Sequence, residues 1–239
     1  RWLYGSAARH VVTTGTRIRD ELVQKGLVKS ENCQSIHTGI DASIFSPGDR
    51  IDARRALSLN ASGFYLGIAA TIRSWKGHAY LIEALSTLPT HVELLIIGKG
   101  PYQETVESRV RDLGLENRVH FVGHQTRVAE WLRALDIFVL PSYANEGVPQ
   151  SLMQAMLCRI PVVSTPVGSI EDIIRPESTG LLVPPKNSQA LAQALDRLIR
   201  DDTLRDKLAE EGYRFALENC TLSSMVDQME QVFQKVVSA

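Results

Sequence analysis

One ten-residue segment combines groups that could hold an anionic, hydroxylated ligand. Residues 146–155 follow a predicted strand and open a predicted helix, and they begin with Glu146 and Gly147. Glycine lets the backbone approach a ligand closely. Pro149 suits the first helical position, because its missing N–H would be unpaired there, and the free amides after it attract phosphate. Glu146 cannot bind the same phosphate, so we expect it to face another part of the ligand or solvent.

Two cations stand three residues apart in the loop after another predicted strand. Arg73 and Lys76 precede Gly77, and the loop leads into a predicted helix. A planar guanidinium together with a compact ammonium charge makes a good clamp for a diphosphate. Two solvated surface cations would give the same pattern, so the sequence leaves both interpretations open.

Two weaker signals also have plain structural explanations. Gly98 and Gly100 end a predicted strand like the start of a dinucleotide fingerprint, but the third glycine position holds glutamine. Taken alone, they are better explained by a tight strand-to-helix turn, which could still approach a nucleotide. Gln150, Ser151 and Gln154 form a polar stripe on an otherwise apolar helix. The stripe predicts either the wall of a cleft or ordinary amphipathicity.

Other catalytic or metal-binding patterns are weak. None of the six histidines stands in a metal-binding pair or near a nucleophile elbow. Glu171 and Asp172 could form a catalytic carboxylate pair, but acidic residues at a helix start suit the helix dipole better. The three cysteines lack metal-ligand spacing and indicate a reducing cytoplasm. A formal net charge of −1 argues against a basic nucleic-acid stripe, and no apolar run approaches transmembrane length.

Strand and helix signals alternate from Phe64 onward. Several strands are continuously apolar, as in parallel sheets covered by helices on both faces. We therefore expect an α/β, doubly wound (Rossmann-like) domain whose ligand lies at the carboxyl ends of the strands. The predicted strands are Phe64–Ala70, Val92–Gly98, Val119–Gly123, Ile137–Leu140, Pro161–Ser164 and Gly180–Val183. The predicted helices between them are His78–Ser86, Tyr102–Leu113, Val128–Leu135, Pro149–Cys158 and Ser169–Ile174.

The chain before and after this domain has a different pattern. Val11–Thr14 and Thr16–Lys25 predict a strand and a helix, and residues 36–48 are rich in turn residues and indicate a linker. The chain begins at Arg1 in what reads as the middle of a helix, so we expect part of a longer protein. The helices predicted at the other end are Ser188–Arg200, Thr203–Glu218 and Leu222–Val237, the last capped by Thr221.

Taken together in this order, the motifs resemble those of the retaining family 4 glycosyltransferases of GT-B fold. The resemblance runs from roughly residue 10 to residue 200. Singly the motifs are common, whereas the ordered set is specific. They are Ile36–Asp41 with Phe45–Pro47, Arg73 with Lys76-Gly77, Ile97–Pro101, Val119–His124, Pro141-Ser142, Glu146–Pro149 and Pro161–Gly168.

The resemblance implies an enzyme of two Rossmann-like domains with the active site between them. Residues 49–218 would be the nucleotide-sugar-binding domain, the C-terminal half of such an enzyme. Residues 1–35 would be a remnant of the N-terminal acceptor domain, and residues 36–48 the linker. Residues 219–239 would form a helix that crosses back toward the N-terminal domain.

The resemblance also implies roles for individual residues. Arg73 and Lys76 would bind the donor diphosphate and stabilise the leaving group with charge in place of a metal, so no metal or cofactor is expected. Glu146 would contact the hydroxyls of the transferred sugar. Retention is explained by front-face attack, without a protein nucleophile. The implied donor-binding residues are Gly98, Gly100, Val122, Gly123, Gly147, Val148, Pro149, Gln150, Ser151 and Gln154.

Gln154 departs from the family pattern, which places a second glutamate eight positions after the first to bind the ribose hydroxyls. A glutamine oxygen still accepts a hydrogen bond from a hydroxyl, and its amide can donate one. Charge-assisted hydrogen bonds are roughly twice as strong as neutral ones. We therefore expect Gln154 to face the ribose and to weaken nucleotide binding without abolishing it.

The expected function is hexosyl transfer with retention from a nucleotide-diphosphate sugar, such as a UDP-sugar, to a glycan or glycolipid acceptor. We expect a role in cell-surface polysaccharide or lipopolysaccharide synthesis, in the cytoplasm, with peripheral contact at the inner face of the membrane and no nucleic-acid partner. The acceptor would bind through the missing N-terminal domain, so the chain alone should bind nucleotide weakly and transfer no sugar. Two alternatives stay open: a nucleotide-sugar-binding module without turnover, and a GT-B-type nucleotide-sugar epimerase, which would need further acid/base groups in the cleft.

Overall fold

A six-stranded parallel sheet dominates the computed structural model, which describes residues 8–238. In chain order the strands are β1 (Val11–Thr13), β2 (Cys33–Ser35), β3 (Phe64–Ala69), β4 (Val92–Ile97), β5 (Val119–Gly123), β6 (Ile137–Leu140), β7 (Val162–Ser164) and β8 (Leu181–Leu182). The helices are α1 (Thr16–Gln24), α2 (Arg50–Ala56), α3 (His78–Thr87), α4 (Gln103–Asp112), α5 (Val128–Arg133), α6 (Gln150–Leu157), α7 (Ser188–Arg200), α8 (Asp202–Asn219) and α9 (Leu222–Val237). None of these helices is long and apolar enough to span a bilayer.

The order of strands across the main sheet reverses once. It runs β5-β4-β3-β6-β7-β8 with all strands parallel, which confirms the predicted doubly wound α/β fold. At the reversal β3 and β6 pair directly, with Leu66 opposite Ile137 and Gly67 opposite Phe138. We call this boundary the β3–β6 seam. Every residue of β6 is buried, as expected where helices cover both faces of a parallel sheet.

A buried ion pair closes the amino end of the β3–β6 seam. Asp136, directly before β6, accepts hydrogen bonds from the guanidinium groups of Arg54 at 2.6 Å and Arg50 at 2.5 Å. The backbone amide of Tyr65 in β3 donates a third bond at 2.6 Å. Asp136 and Arg54 are both buried. A carboxylate taken out of water needs several such partners, and here two separate elements, α2 and β3, supply three of them.

The helix predicted over Ser169–Ile174 is wrong. The chain forms only a three-residue 3-10 turn, Ile170–Asp172, at this place. A proline disfavours the α conformation of the residue before it, so Pro176 prevents a regular helix from continuing through Arg175. The isoleucines of the segment are nevertheless buried, and they anchor the turn in the core.

Two short elements, α2 and β2, are absent from the sequence-based prediction. α2 begins after Asp49, whose carboxylate accepts a hydrogen bond from the amide of Asp52 at 2.8 Å. β2 is a three-residue strand that exists by pairing with β1. The cap predicted at Thr221 is confirmed, because its hydroxyl accepts a hydrogen bond from the amide of Ser224 at 3.2 Å.

β1 and β2 form a separate two-stranded parallel sheet beside α1. Near Ile40 the chain crosses toward the main sheet along the junction of α8 and α9. There the amide of Ile40 donates to the carbonyl of Cys220 at 2.8 Å, and the amide of Leu222 donates to the carbonyl of Ile40 at 3.0 Å. The division into residues 1–35, 36–48, 49–218 and 219–239 stays a prediction. The helix predicted at Arg1 falls on residues 1–7, outside the described part of the chain.

Candidate functional site

Two loops flank the carboxyl end of the β3–β6 seam. One loop follows β3 and contains Lys76, and the other follows β6 and contains Glu146. In doubly wound sheets the strand-order reversal separates neighbouring loops and leaves a crevice between them. The three predicted catalytic residues therefore come from loops on opposite sides of the seam, Arg73 and Lys76 from one and Glu146 from the other.

Lys76 and Glu146 are in direct contact. The ammonium of Lys76 donates a hydrogen bond to Oε1 of Glu146 at 2.6 Å, and the hydroxyl of Ser142 donates to the same oxygen at 2.5 Å. The Glu146 side chain is only 5% exposed, and that of Lys76 is 20% exposed. Within residues 8–238, Oε2 of Glu146 accepts no hydrogen bond. The site thus holds a buried carboxylate with one oxygen fixed and one available.

Gly77 allows the two loops to pack against each other. Its φ is +80°, and a Cβ at this position would lie 2.0 Å from the carbonyl oxygen of Pro141. A second contact joins the loops where the amide of Tyr143 donates to the carbonyl of Trp75 at 2.8 Å. A side chain at position 77 would push the loops apart, so this glycine fixes the position of Lys76 relative to Glu146.

The loop after β7 supports the Glu146 segment from behind. Gly168 has a φ of +67°, and its Cβ would lie 2.0 Å from the carbonyl oxygen of Glu146. The amide of Ser169 donates to the carbonyl of Gly147 at 3.1 Å. The backbone of Glu146 and Gly147 is therefore held by the loop of the next strand.

The predicted glycine turns after β4 and β5 lie against the loop after β3. The amide of Gly98 donates to the carbonyl of Gly123 at 2.8 Å, and the amide of Ile72 donates to the carbonyl of Lys99 at 3.1 Å. A Cβ on Gly98 would lie 2.1 Å from the carbonyl oxygen of Ala70, and Gly100 is similarly close to Ile72. Gly98 and Gly100 thus form a tight strand-to-helix turn, which was the structural explanation for them in the sequence. The turns after β4 and β5 line the same edge of the sheet as Lys76.

α6 presents its N-terminus beside Glu146. Pro149 is the residue before the helix, which begins at Gln150, so the predicted start at Pro149 is one residue early. No side chain caps this N-terminus. Gln150 is exposed, whereas Ser151 and Gln154 are half-buried. Because the apolar residues of α6 are buried in the core, the polar stripe faces outward from it.

Arg73 is not joined to this pair by any described contact. Its guanidinium lies over the ring of Trp75, 5.1 Å from the ring centre, and the residue is exposed. The structure therefore brings Lys76 and Glu146 together and leaves Arg73 at the rim. Its role in a diphosphate clamp stays a prediction.

Two residues beside the predicted site were not singled out for a role. Ser142 belongs to a quoted motif, but an uncharged serine gives no signal of its own. His78 follows Gly77 directly and is fully buried, and neither ring nitrogen finds a partner among residues 8–238. Burial, and to a smaller extent the charge of Lys76, lowers the pKa of His78 to about 4. It is therefore neutral at pH 7.

No group of three or more histidine, cysteine, aspartate or glutamate side chains within residues 8–238 could hold a metal ion. The ammonium of Lys76 lies 2.6 Å from the buried carboxylate of Glu146.

Comparison with known proteins identifies the family. The family described as "Glycosyl transferases group 1" matches residues 49–215. The chain belongs to this family. The match includes Lys76, Ser142 and Glu146, and both sides of the β3–β6 seam.

Individual relatives agree with that assignment. The chain is 28% identical over 214 residues to N-acetyl-alpha-D-glucosaminyl L-malate synthase of Bacillus anthracis, covering 88% of this chain and 56% of the relative. It is 30% identical over 197 residues to the lipopolysaccharide core biosynthesis mannosyltransferase LpsB of Rhizobium meliloti, covering 75% of this chain and 56% of the relative. The chain thus spans about half the length of these curated relatives.

A solved structure extends the likeness to three dimensions. The Anabaena protein Alr3699/HepE in complex with UDP and glucose superimposes with a TM-score of 0.88 at 25% identity. The superposition covers 95% of this chain and 64% of the Anabaena chain. The family's GT-B glycosyltransferase fold is therefore shared along nearly all of the residues described here.

Proposed function

We propose that the chain binds a nucleotide-diphosphate sugar at the carboxyl ends of β3 and β6, as the donor half of a retaining glycosyltransferase. The observation that carries the proposal is the buried carboxylate of Glu146, bound by Lys76 and Ser142 where the strand order reverses. Ligands of doubly wound sheets bind at that point. A buried acceptor beside a cation suits a ligand that carries both hydroxyls and phosphates.

Lys76 and Glu146 have complementary roles in this proposal. The ammonium of Lys76 turns to the diphosphate and stabilises the negative charge that develops as the nucleotide leaves. Oε2 of Glu146 accepts a hydrogen bond from a sugar hydroxyl, while Ser142 continues to hold Oε1. Arg73 adds a second cation when it moves from the Trp75 ring to the phosphates.

The nucleotide would lie along the glycine turns and the N-terminus of α6. The uncapped amides of that helix attract phosphate oxygens, and Gln154 in its second turn faces the ribose. The remaining donor-binding residues in this proposal are Gly98, Gly100, Val122, Gly123, Gly147, Val148, Pro149, Gln150 and Ser151.

The proposed reaction uses no protein nucleophile. The acceptor hydroxyl attacks the anomeric carbon from the face on which the nucleoside diphosphate departs, and the bond from that carbon to the phosphate oxygen breaks. A phosphate oxygen of the leaving group takes the acceptor proton. Because the attacking and leaving groups share one face, the configuration at the anomeric carbon is retained.

Similar proteins support a choice of donor and acceptor. The Anabaena structure contains UDP and glucose, and the Rhizobium relative is a mannosyltransferase of lipopolysaccharide core synthesis. We therefore propose a hexosyl donor, with UDP as the first candidate nucleotide. The proposed acceptor is a surface polysaccharide or lipopolysaccharide precursor, glycosylated at the cytoplasmic face of the membrane.

A panel of UDP-, GDP- and ADP-hexoses tests the proposal by thermal shift. A donor at 100 times its Kd raises the free energy of unfolding by about 2.7 kcal/mol, so the cognate donor should raise the Tm clearly. Glu146→Gln should reduce the shift with the sugar nucleotide more than the shift with the free nucleoside diphosphate, because it weakens only the bond to the sugar. Glu116→Gln, at an exposed position, is the matched control.

Two outcomes would contradict parts of the proposal. If no nucleotide sugar or nucleoside diphosphate changes the Tm, the cleft is not a donor site. The 239-residue chain is expected to bind donor without transferring sugar, since acceptor binding is assigned to residues outside it. Transfer catalysed by this chain alone would contradict that assignment.

A further inference from the structure

The N-terminus of α1 is capped by residues that lie far along the chain. The residue before the helix is Gly15, which has no side chain to cap it. Instead the carboxylate of Asp172 accepts a hydrogen bond from the amide of Thr16 at 2.8 Å and a second bond from the Thr16 hydroxyl. The hydroxyl oxygen of Ser169 accepts a bond from the amide of Arg17 at 3.1 Å. We call these contacts the clasp.

Close approach of the backbone makes the clasp possible. A Cβ on Gly15 would lie 2.4 Å from Oγ of Ser169 and 3.6 Å from a methyl group of Val148. Gly15 itself is extended, with a φ of −162°, so the glycine is needed here for space and not for its backbone conformation. The carboxylate of Asp172 also stands at the positive end of the α1 dipole, where a negative charge is stabilised.

The clasp brings Thr14 to the Glu146 segment. The hydroxyl oxygen of Thr14 lies 3.9 Å from the position that a Cβ on Gly147 would occupy. Thr14 is exposed, whereas the neighbouring Gly15 is buried. The exposed hydroxyl of Thr14, directly after β1, therefore lies over the backbone that follows Glu146.

The turn that carries Ser169 and Asp172 is rigidly tied to that same backbone. Ile170, Ile173 and Ile174 in and after the turn have no exposed surface. The amide of Ser169 donates to the carbonyl of Gly147, and Gly168 packs on the carbonyl of Glu146. An unbroken set of contacts thus runs from the first turn of α1 to the candidate catalytic carboxylate.

We propose that Asp172 is a positioning residue, which holds the Thr14 hydroxyl over the sugar end of the donor site. The inference rests on the proposed function, because it assigns the Glu146–Gly147 segment to the sugar. Asp172 acts only through α1 and Thr14 and does not itself touch the donor. The clasp therefore favours a sugar nucleotide over the nucleotide alone, since a nucleoside diphosphate lacks the transferred hexose that would meet Thr14.

Asp172→Ala tests this inference with two independent measurements. Hydrogen exchange at the amides of Thr16 and Arg17 should accelerate, because the first amide loses its acceptor and the turn is loosened. The Kd for UDP-glucose should rise about tenfold, the effect of losing roughly 1.4 kcal/mol, while the Kd for UDP should change less than about twofold. Glu171→Ala is the matched control, an exposed acid of the same turn outside the clasp.

Gly15→Ala provides a second route that leaves Asp172 in place. The added methyl group would displace Ser169, so this variant should show the same selective loss of UDP-glucose binding. Equal weakening of UDP and UDP-glucose in both variants, or unchanged Kd values with both probes, would overturn the positioning role. If the wild-type chain binds neither probe, the proposed function fails and the sugar-positioning role with it. The exchange rates of Thr16 and Arg17 then decide whether the clasp forms.

Discussion

Gln154 occupies the second turn of α6, where it is half-buried beside the uncapped N-terminus of the helix. A neutral amide forms a weaker hydrogen bond to a ribose hydroxyl than a carboxylate does. We expect Gln154→Glu to tighten UDP binding by about 1 kcal/mol, roughly a fivefold lower Kd, and Gln154→Ala to weaken it by a similar amount. Isothermal titration calorimetry measures both changes.

Gln189→Glu is the control for the added charge, because Gln189 is exposed on α7. It should leave the Kd for UDP unchanged. A Gln154→Ala variant that binds UDP as tightly as the wild type would show that this side chain does not face the ribose.

Single residues of the site could be predicted by type, but their contacts could not. Lys76 and Glu146 have the charges and flanking glycines of a site, yet their contact joins residues 70 positions apart. That contact depends on the order of strands, which hydrophobic periodicity does not encode. Ser142 carries no charge that would mark it. Asp172 carries a charge, but its partner Thr16 begins α1, 156 positions earlier in the chain, so their contact could not be predicted from the sequence.

Gly77 shows at the scale of elements how backbone packing fixes the site. A side chain at this position would be unfavourable for two reasons. The positive φ costs about 1–2 kcal/mol for a residue with a Cβ, and that Cβ would clash with the carbonyl of Pro141. Gly114 has a comparable φ of +64° but nothing within 4 Å of its Cβ position. We therefore expect Gly77→Ala to lower the free energy of unfolding by at least about 2 kcal/mol more than Gly114→Ala.

Chemical denaturation of both variants measures this difference. Equal losses of stability would mean that the loops after β3 and β6 separate easily, and that Gly77 matters only for its φ. In that case the contact between Lys76 and Glu146 would not depend on close packing of the loops.

Elements with a strong period were predicted closely, whereas two short elements, α2 and β2, were missed. The buried strands β3, β4 and β6 and the long helices α7 and α9 agree with the predicted ranges within a residue or two. The segment Ser169–Ile174 has apolar residues at helical spacing, but Pro176 stops it after a single turn. α2 could have been predicted from Asp49, an N-cap residue before a run of helix formers. β2 depends on β1 for its existence, so its own three residues carry little signal.

His78 affects the stability of the whole molecule as pH changes. In the unfolded chain its imidazole takes up a proton near the ordinary pKa of 6.5, whereas burial in the folded state lowers this pKa to about 4. Between these values the unfolded state binds more protons, so the free energy of unfolding falls as the pH drops. The contribution lost reaches about 3 kcal/mol by pH 4.

Urea unfolding between pH 7 and pH 4 measures this dependence. His78→Leu should flatten it, because a leucine cannot take up a proton in the unfolded state. His124→Gln removes an exposed histidine and should leave the slope as in the wild type. A slope that is the same in all three proteins would show that His78 is not the group responsible.

The β3–β6 seam has a mechanical consequence. Its strands pair through two aligned residue pairs, the same number that joins the edge strand β8 to β7. A buried charge lies at each end of the seam, Asp136 at one end and Glu146 at the other. Under a force that pulls its two halves apart, the sheet should separate at the β3–β6 seam before β3 separates from β4, because β3 and β4 pair over six aligned residue pairs. A donor that binds both Lys76 and Glu146 would link the two sides of the seam. The protein with bound donor should therefore withstand a larger force than the protein without it.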